Sequence, residues 1–455
     1  MQHSRLKIPL LFMADIIHGY KTIFPIPLGL AASWDPKLIK DVAQASADEA
    51  AAEGISVTFS PMADLVRDPR WGRVMESTGE DPFLNSIYAK AFVEGYQGKD
   101  RIDNNHLAAT VKHFAGYGAV EAGREYNTVD MSEWRFRSEY LPSYKAAVEA
   151  KAQLVMTSFN TLFGIPVTGN RYILQDILRK ELSFDGVIIS DWNSIGELID
   201  HGVAENMGQA ASLALKAGVD IDMMSFSYIS QLENLIDSKK INIDLIDHAV
   251  YRILSLKKKL GLFDDPFRGL ETKKVNSHVF TDEKLALAQK AAEESIVLLK
   301  NDDKTLPLNI DDSVALVGDI GDSHDLLGSW SFKGDKLSVK TIKESLYSKF
   351  KKIVFAKGYK TASDFSSKMA EEAVAIAKKQ KYIIFVAGLE SEQSGEASSL
   401  TDIKIADNQI RLLKKLAELG KPIITLLVTG RPLDLTEIQK YSNAILLAWF
   451  PGTKG

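Results

Sequence analysis

Cysteine is absent from the 455-residue sequence. Without it the chain has no disulfide, no thiolate nucleophile and no Cys-ligated zinc or iron–sulfur site, so any catalysis depends on carboxylates, His, Ser, Lys or Tyr. An apolar run of about 18 or more residues is also missing, so we expect no membrane span. The opening, MQHSRLKIPLLFMAD, enters a strand-like run almost at once. A signal peptide needs a charged start, an apolar stretch and a small-residue cleavage site, so we expect none here.

The chain has no block of basic residues. It carries 55 Lys and Arg against 60 Asp and Glu, a net charge of −5. Nucleic acid is therefore not expected as a partner. The motifs GxxxxGK[ST], HExxH, GxSxG and GxGxxG between a strand and a helix are missing too, which removes the main signals of ATPases, zincins, α/β-hydrolases and dinucleotide enzymes. The 45% hydrophobic and 25% charged residues that are present are typical of a folded globular protein.

Short apolar runs alternate with helical patterns through the first part of the chain, as in parallel strands joined by crossover helices. The strand candidates are PLLFMAD, SVTFSPMAD, AATVKHF, AQLVMTSFN, GVIISDW and AGVDIDMM, with a shorter one near PLGLAAS. These are six or seven strands, whereas a (β/α)8 barrel needs eight. The pattern predicts an α/β domain over residues 1–263, a TIM-like barrel that is either complete or incomplete.

A stretch rich in Asp, Pro, Gly, Ser and Thr follows and predicts a linker over residues 264–280. A helix, LALAQKAAEESIVLLKN, then runs into a strand. Further strands at SVALVGD, KKIVFAKG, KYIIFVAG, KPIITLLVTG and NAILLAWFPG alternate with amphipathic helices. Residues 281–455 are therefore predicted to form an α/β sandwich domain with a mostly parallel sheet covered by helices.

Polar residues end every predicted strand of the first domain. They are Asp15, Asp64, Lys112 with His113, Asn160, Asp191 and Asp222. In (β/α)8 barrels the chemistry lies at the carboxyl ends of the strands, where the loops converge. These positions are therefore the first candidates for a functional site.

Each candidate has an alternative structural interpretation. Asp191, beside Trp192, is either a nucleophile or the cap of the following helix, since Asp is a preferred cap. Lys112 and His113 either donate to a polyhydroxylated or anionic ligand or are a rim lysine and a buried histidine. Asp15, with a histidine three residues later, indicates a metal site only weakly, because no third ligand stands at a recognisable spacing.

Two charged stretches stand out as well. DPRWGRVMESTGEDP is either a solvated loop or part of a site, and its tryptophan argues against a purely solvated role. VAGLESEQSGEASSL holds Glu390, Glu392 and Glu396. Carboxylates this close repel one another, which would raise the pKa of at least one towards that of a general acid, but acidic loops are often just solvated. A retaining glycosidase needs two carboxyl groups about 5–5.5 Å apart, which a loop carboxylate and a strand-end carboxylate would supply if they met.

The sequence resembles glycoside hydrolase family 3, particularly its bacterial periplasmic β-glucosidases. The resemblance runs from Arg5 to Gly455 and rests on motifs in the family's order: LKIPLLFMADIIHG, FPIPLGLAASWDP, SPMADLVRDPRWGRVMESTGEDP, VKHFAGYGAVEAGREYNTVDMS, VMTSFN, GVIISDW, LGSWSFKGD, SGEASSLTDI and TGRPL. It implies a retaining hydrolase that removes terminal non-reducing β-D-glucosyl residues by double displacement. Asp191 would be the nucleophile and Glu396 the acid/base, with Glu390 and Glu392 as close competitors.

The same matching implies a set of substrate-binding residues, which are Asp15, Arg73, Lys112, His113, Trp192 and Trp330. Asp15 would hold the outer hydroxyls, Arg73, Lys112 and His113 would surround those on the other side, Trp192 would stack at the ring, and Trp330 would form one wall of the leaving-group subsite. No metal or organic cofactor is implied. The implied partner is a carbohydrate and the implied location is periplasmic or extracellular; the oligomeric state is not indicated.

The sequence also allows alternatives to a β-glucosidase. They are a β-xylosidase or broad-specificity β-glycosidase, although Asp at position 15 is similar to glucosidases more than to xylosidases, and an inactive carbohydrate-binding remnant. Phe159 stands where many members carry Tyr, and FAGYGAVEAGREYNTVD lacks the His of the N-acetylglucosaminidase branch, which disfavours that branch. Members of this type begin earlier and continue beyond PGT, so we expect a longer chain to be the more stable one.

Overall fold

The computed structural model describes residues 5–99, 101–270, 275–361 and 364–455. The chain forms two compact units. Unit 1 comprises Met1–Tyr20, Asp35–Asp68 and Ser77–Thr281, and unit 2 comprises Lys21–Trp34, Pro69–Glu76 and Asp282–Gly455. Two segments from early in the sequence therefore belong to the later unit. The domain bounds drawn from the sequence stay a prediction, and residues 271–274 of the predicted linker lie outside the described residues.

Unit 1 is built on a parallel sheet. Its strands are β1 Met13–Ala14, β2 Val57–Thr58, β3 Ala108–Phe114, β4 Leu154–Thr157, β5 Thr161–Leu162, β6 Ile165–Pro166 and β7 Val187–Ile189. The order is β1-β2-β3-β4-β7, all parallel, while β5 and β6 form a separate antiparallel hairpin. This is a TIM-like barrel in its incomplete form, which confirms the predicted fold class. The predicted run AGVDIDMM contributes one parallel bridge, from Ile221 to Ile189.

Helices connect these strands. The α-helices of unit 1 are Pro36–Ala52, Pro82–Gln97, Glu133–Arg135, Leu141–Glu149, Glu197–Asp200, Met207–Ala217, Ser227–Asp237 and Ile243–Lys259, and π-helical turns span Phe136–Tyr140 and Tyr172–Glu181. Two long helices start the same way: Asp35 and Asp81 accept backbone N–H groups of the first turn, and a proline follows each of them. All seven residues of β3 are buried, as expected of a parallel strand with both faces covered.

The strand predicted at PLGLAAS is wrong. Pro27–Ala31 is a short helix, and it belongs to unit 2. Proline at the first helical position fits the helix geometry, and all five residues are buried, so burial rather than pairing explains the apolar run. A short apolar run of this kind cannot be assigned to strand or helix by periodicity alone.

Unit 2 is an α/β sandwich domain. Its strands are β8 Val297–Asn301, β9 Ser313–Val317, β10 Lys352–Ala356, β11 Tyr382–Gly388, β12 Ile423–Val428 and β13 Ala444–Leu447, and its helices are Pro27–Ala31, Asp282–Ser295, Ile342–Tyr347, Ser367–Ala377, Asp407–Ala417 and Thr436–Tyr441. The sheet order is β10-β9-β11-β12-β13-β8, and only β8 is antiparallel to its neighbour. The predicted mostly parallel sheet is confirmed.

Each unit has its own apolar core. The core of unit 1 lies against the sheet and includes Val57, Leu154 and Ile189, and that of unit 2 includes Phe385, Leu413 and Leu427. Among the described residues, no helix combines the length and the apolar character that a bilayer crossing requires.

Candidate active site

A buried hydrogen-bonded group lies at the carboxyl end of β3 in unit 1. Asp64 Oδ2 accepts a bond from the backbone N–H of His113 at 2.9 Å and lies 2.8 Å from His113 Nδ1. Asp64 Oδ1 accepts the Tyr144 hydroxyl at 2.6 Å. Burial and the adjacent Asp64 raise the pKa of Tyr144 well above its ordinary value, so this hydroxyl stays a donor. The Asp64 carboxylate thus fixes the orientation of the imidazole ring through Oδ2 and holds the Tyr144 hydroxyl through Oδ1.

The other ring nitrogen of His113 faces a second carboxylate. His113 Nε2 lies 3.4 Å from Asp191 Oδ2, at the end of β7. Asp191 Oδ1 accepts the backbone N–H of Trp192 at 2.7 Å. The alternative that Asp191 caps the following helix is wrong, because that helix, Glu197–Asp200, has Gly196 at its N-cap position. The Asp191 carboxylate is almost fully buried, and the indole of Trp192 is exposed.

Lys112 and Asp15 form an ion pair at the ends of β3 and β1. The Lys112 Nζ atom donates to Asp15 Oδ1 at 3.1 Å. The Lys112 side chain is 2% exposed and that of Asp15 is 29% exposed. The interpretation of Lys112 as a rim lysine is therefore wrong, since a rim residue would extend its amine into solvent. Asp15 presents carboxylate surface to solvent beside a fixed ammonium group, a combination that can bind hydroxyl groups.

The remaining strand-end residues have structural roles. Asp222 accepts hydrogen bonds from the backbone and hydroxyl of Ser225, the hydroxyl of Ser227 and the backbone of Tyr228, so it organises the start of a helix. The Asn160 amide donates to the backbone. Over the part of the chain that the structure describes, no group of three or more His, Asp and Glu side chains is arranged to hold a metal ion.

Unit 2 contains a second cluster of charged residues. Arg73 donates to both carboxylate oxygens of Glu76, from Nε at 2.7 Å and from Nη2 at 3.1 Å. Both side chains are buried, and so is Trp71. The alternative that this stretch is a solvated loop is therefore wrong. A bidentate buried pair of this kind holds the guanidinium plane in one orientation.

Glu396 is distinguished from its two competitors by its environment. Arg73 Nη1 lies 3.4 Å from Glu396 Oε1, and the Glu396 side chain is 27% exposed. Glu390 and Glu392 are exposed residues. The Arg73 guanidinium also lies 5.8 Å from the centre of the Trp330 ring. Arg73, Glu396 and Trp330 are thus brought together within unit 2.

The loop that carries Glu396 lies directly against the segment that carries Arg73. The Gly395 N–H donates to the Gly72 carbonyl at 2.8 Å, and the Leu400 N–H donates to the Arg70 carbonyl at 2.9 Å. A Cβ atom at Gly72 would lie 2.0 Å from the Gly395 carbonyl oxygen. Only glycine allows this approach of two backbones.

The structure therefore separates the predicted site residues into two sets. Asp15, Lys112, His113, Asp191 and Trp192 belong to unit 1, and Arg73, Trp330 and Glu396 belong to unit 2. Sequence reasoning gave no role to Tyr144, Glu76 or Arg431. Nothing in the sequence around Tyr144 indicates that its side chain contacts Asp64 at the end of a strand. Arg431 could have been noticed, because it stands in the quoted motif TGRPL.

Two family models match the chain. The glycosyl hydrolase family 3 N terminal domain matches residues 1–256, and the glycosyl hydrolase family 3 C-terminal domain matches residues 296–455.

Among curated proteins, the chain is 40% identical over 482 residues to the periplasmic beta-glucosidase of Salmonella typhimurium, covering all of this chain and 63% of that protein. It is 36% identical to a beta-xylosidase of Formosa agariphila, covering 99% of this chain and 66% of the relative. The chain thus spans less than two thirds of the length of these relatives.

The chain is also similar to solved structures of beta-glucosidases. The beta-glucosidase of Listeria innocua in complex with isofagomine superposes with a TM-score of 0.97 at 46% identity, over 100% of this chain and 63% of that one. The same enzyme has been solved with glucose, with gluconolactone and, as a mutant, with laminaribiose. With both domain models matched in order, this chain belongs to glycosyl hydrolase family 3.

Proposed function

We propose that this chain carries the catalytic part of a retaining β-glucosidase that releases terminal non-reducing β-D-glucosyl residues from oligosaccharides or glucosides. The observation that carries the proposal is the nearly buried Asp191 carboxylate at the end of β7, held by the Trp192 N–H and facing His113 at 3.4 Å. A fixed, shielded carboxylate at a strand end is what attack on an anomeric carbon requires.

In the first step, Asp191 attacks the anomeric carbon, the glycosidic bond breaks, and Glu396 gives its proton to the leaving oxygen. In the second step, Glu396 takes a proton from water, the water oxygen bonds to the anomeric carbon, and the bond to Asp191 breaks. Glu396 is proposed over Glu390 and Glu392 because its carboxylate is partly shielded and held in position beside Arg73, whereas the other two are exposed.

Substrate hydroxyls are proposed to bind polar groups that already have fixed positions. Asp15 is held by the Lys112 ammonium, and Arg73 is held by Glu76. His113 is proposed as a further contact, and the exposed indole of Trp192 as the face on which the sugar ring stacks. Trp330, beside Arg73, is proposed as a wall of the leaving-group subsite. Groups that need no rearrangement stabilise the transition state at least cost.

The proposed substrate class follows the relatives: the Listeria innocua structures hold glucose and laminaribiose, and the Salmonella typhimurium relative is a beta-glucosidase. A β-xylosidase is the second candidate, because the Formosa agariphila relative is 36% identical. Turnover of p-nitrophenyl β-D-glucoside against the corresponding xyloside separates the two. A periplasmic or extracellular location is proposed from the name of the Salmonella relative.

The testing experiment compares Asp191→Ala, Glu396→Ala and the matched control Glu392→Gln, with circular dichroism to confirm folding. We expect Asp191→Ala to lose turnover of every glucoside. Glu396→Ala should keep turnover of activated aryl glucosides, lose that of cellobiose and respond to added azide. The exposed Glu392→Gln variant should behave as the wild type.

Two results would contradict the proposal. Cellobiose hydrolysis by Glu396→Ala at the wild-type rate would remove Glu396 from the acid/base role. A folded wild-type chain that binds gluconolactone without hydrolysing any glucoside or xyloside would support a carbohydrate-binding protein instead.

A further inference from the structure

Arg431 is a fully buried arginine with no role in the proposed chemistry. It follows β12 in the turn Thr429–Gly430–Arg431 and is 0% exposed. The turn is closed by Thr429, whose hydroxyl donates to the Arg431 carbonyl at 2.9 Å and accepts the Arg431 N–H at 3.1 Å. Burial lowers the pKa of Arg431 to about 10, so the side chain keeps its charge at neutral pH.

The guanidinium group of Arg431 contacts two separate backbone segments of unit 2. Nη1 donates to the carbonyls of Pro69 at 3.0 Å and Arg70 at 2.9 Å. Nη2 donates to the carbonyls of Gln393 and Ser398, both at 2.6 Å. A buried cation is expensive unless its hydrogen bonds are made. Four of the five guanidinium N–H groups donate to backbone oxygen, and the fifth, on Nε, is buried with no partner among the residues that the structure describes. The planar guanidinium group of arginine has N–H donors pointing in several fixed directions, so it can bond to acceptors on two segments at once. The ammonium group of lysine is a single compact charge and cannot span them in the same way.

These four carbonyls lie close in sequence to Arg73 and Glu396, the two residues that pair in the proposed acid/base site. Gln393 and Ser398 lie three residues before and two residues after Glu396. Pro69 and Arg70 come just before the turn that presents Arg73. One side chain therefore fixes the backbone on both sides of Glu396 and at the start of the segment that carries its partner.

We propose that Arg431 is a positioning residue for the acid/base: it holds the 393–398 loop against the 69–73 segment and thereby sets the Arg73–Glu396 pair. This inference rests on the proposed function for its effect on catalysis. Its effect on the loop itself follows from the hydrogen bonds alone.

The alternative is that Arg431 only stabilises the fold of unit 2. A loss of stability would lower the amount of active enzyme equally for every substrate. A displaced acid/base would instead slow the hydrolysis of substrates with poor leaving groups most, because those need the proton in the transition state. Dependence on the leaving group therefore separates positioning from plain stability.

The test compares Arg431→Lys and Arg431→Met with the wild type. The matched control is Lys300→Met, which also removes a cation that bridges two carbonyls in unit 2, those of Gln439 and Ser442, away from the 393–398 loop. Turnover of aryl β-glucosides with a range of leaving-group pKa values is measured per folded molecule, with and without azide. In parallel, hydrogen exchange follows the amides of Gly395 and Leu400.

For Arg431→Met we expect a loss of about 100-fold in kcat/KM on poor leaving groups, the size of a general-acid contribution, and less than about 10-fold on dinitrophenyl glucoside. Azide attacks the glycosyl-enzyme intermediate without a general base, so it should partly restore turnover of dinitrophenyl glucoside. The Gly395 and Leu400 amides should exchange faster, while those of β11 do not. Arg431→Lys should show losses in kcat/KM that lie between those of the wild type and Arg431→Met. It also allows the test to be made if Arg431→Met fails to fold. Lys300→Met should leave the leaving-group dependence unchanged.

Equal losses on all leaving groups, or unchanged exchange at Gly395 and Leu400, would overturn the inference while leaving the proposed function standing. If the folded wild type hydrolyses no glycoside, the proposed function fails. The hydrogen-exchange measurement on Gly395 and Leu400 then decides by itself whether Arg431 holds the loop.

Discussion

Asp64 and His113 contact each other twice through the same carboxylate oxygen, once at the imidazole Nδ1 and once at the backbone N–H. Both side chains are fully buried. The doubled contact fixes the ring relative to its own backbone, so the direction in which Nε2 points is set by Asp64. Since Nε2 lies 3.4 Å from Asp191, the position of the proposed nucleophile is coupled to Asp64 through the ring of His113.

Replacing Asp64 by Asn is expected to lower turnover more than binding. The amide can offer one oxygen, but Tyr144 and the two groups of His113 all donate to the carboxylate, so at least one buried donor loses its acceptor. We expect kcat for p-nitrophenyl glucoside to fall about 100-fold, the effect of a small misplacement of reacting groups. Stability should fall by about 1–3 kcal/mol, the cost of one buried unsatisfied donor.

Steady-state kinetics and urea unfolding check this expectation. Tyr144→Phe is the matched control, because it removes one donor and leaves both contacts between Asp64 and His113; it should change kcat much less. An Asp64→Asn variant with wild-type kcat would show that His113 keeps its orientation without the carboxylate.

Asp15→Asn is expected to weaken binding. The substitution keeps the size of the side chain but removes the charge that pairs with the buried Lys112 ammonium. Hydrogen bonds to a charged group are worth about 1.5–3 kcal/mol, so kcat/KM should fall about 10- to 100-fold, with a rise in KM and in the inhibition constant for glucose.

Asp222→Asn serves as the control for Asp15, because Asp222 also ends a predicted strand but has its bonds within the following turn. It should reduce stability and leave KM unchanged. An unchanged KM in Asp15→Asn would remove Asp15 from the proposed sugar-binding set.

The positions of Asp15, Lys112 and Asp191 could be predicted because buried parallel strands leave a plain apolar pattern and end in polar residues. The pairing of Tyr144 with Asp64 could not, because it joins residues 80 positions apart and depends on how a helix packs on the sheet. The apolar run at Pro27–Ala31 was misassigned for a related reason: burial makes a short helix and a short strand look alike in sequence.

The environment of Glu396 among three nearby glutamates could not be predicted from local sequence either. Composition places all three in one acidic loop, and only the fold brings Arg73 to one of them. Arg431 could be seen as part of a motif, but its four acceptors lie 33, 38, 361 and 362 residues away along the chain. Contacts between distant segments are set by tertiary packing, which local patterns do not encode.

Gly72→Ala is expected to displace the loop that carries Glu396. The added Cβ would lie 2.0 Å from the Gly395 carbonyl oxygen and 2.9 Å from that of Ser398, both backbone atoms that cannot move aside alone. We expect a loss of about 1–3 kcal/mol in stability, as for overpacking, and a larger loss of turnover on cellobiose than on dinitrophenyl glucoside.

Gly321→Ala is the matched control in the same unit, because its Cβ would meet only side-chain atoms, the nearest at 3.4 Å. It should change neither stability nor substrate preference appreciably. Wild-type turnover of cellobiose by Gly72→Ala would show that the loop tolerates the displacement.

Asp325 is expected to make the stability of unit 2 fall at acidic pH. Burial by itself would raise the pKa of Asp325, but hydrogen bonds from Lys336 and from the backbone and hydroxyl of Ser391 outweigh it and hold the pKa below its ordinary value. A carboxyl group with a lowered pKa in the folded state stabilises the protein above its unfolded pKa of about 3.9, and this contribution is lost as the pH falls through the folded value.

The difference in free energy of unfolding between wild type and Asp325→Asn should therefore be constant from neutral pH to about pH 5 and shrink below about pH 4. Urea titrations followed by circular dichroism at each pH measure it. Asp402→Asn, which removes an exposed carboxylate paired with Lys404, provides the control and should show little difference at any pH. Since Asp325 holds Ser391 at the start of the Glu396 loop, Asp325→Asn should also speed exchange at the Ser391 amide. A difference between wild type and Asp325→Asn that grows as the pH falls would reverse the expected sign and remove Asp325 as a source of the acid sensitivity.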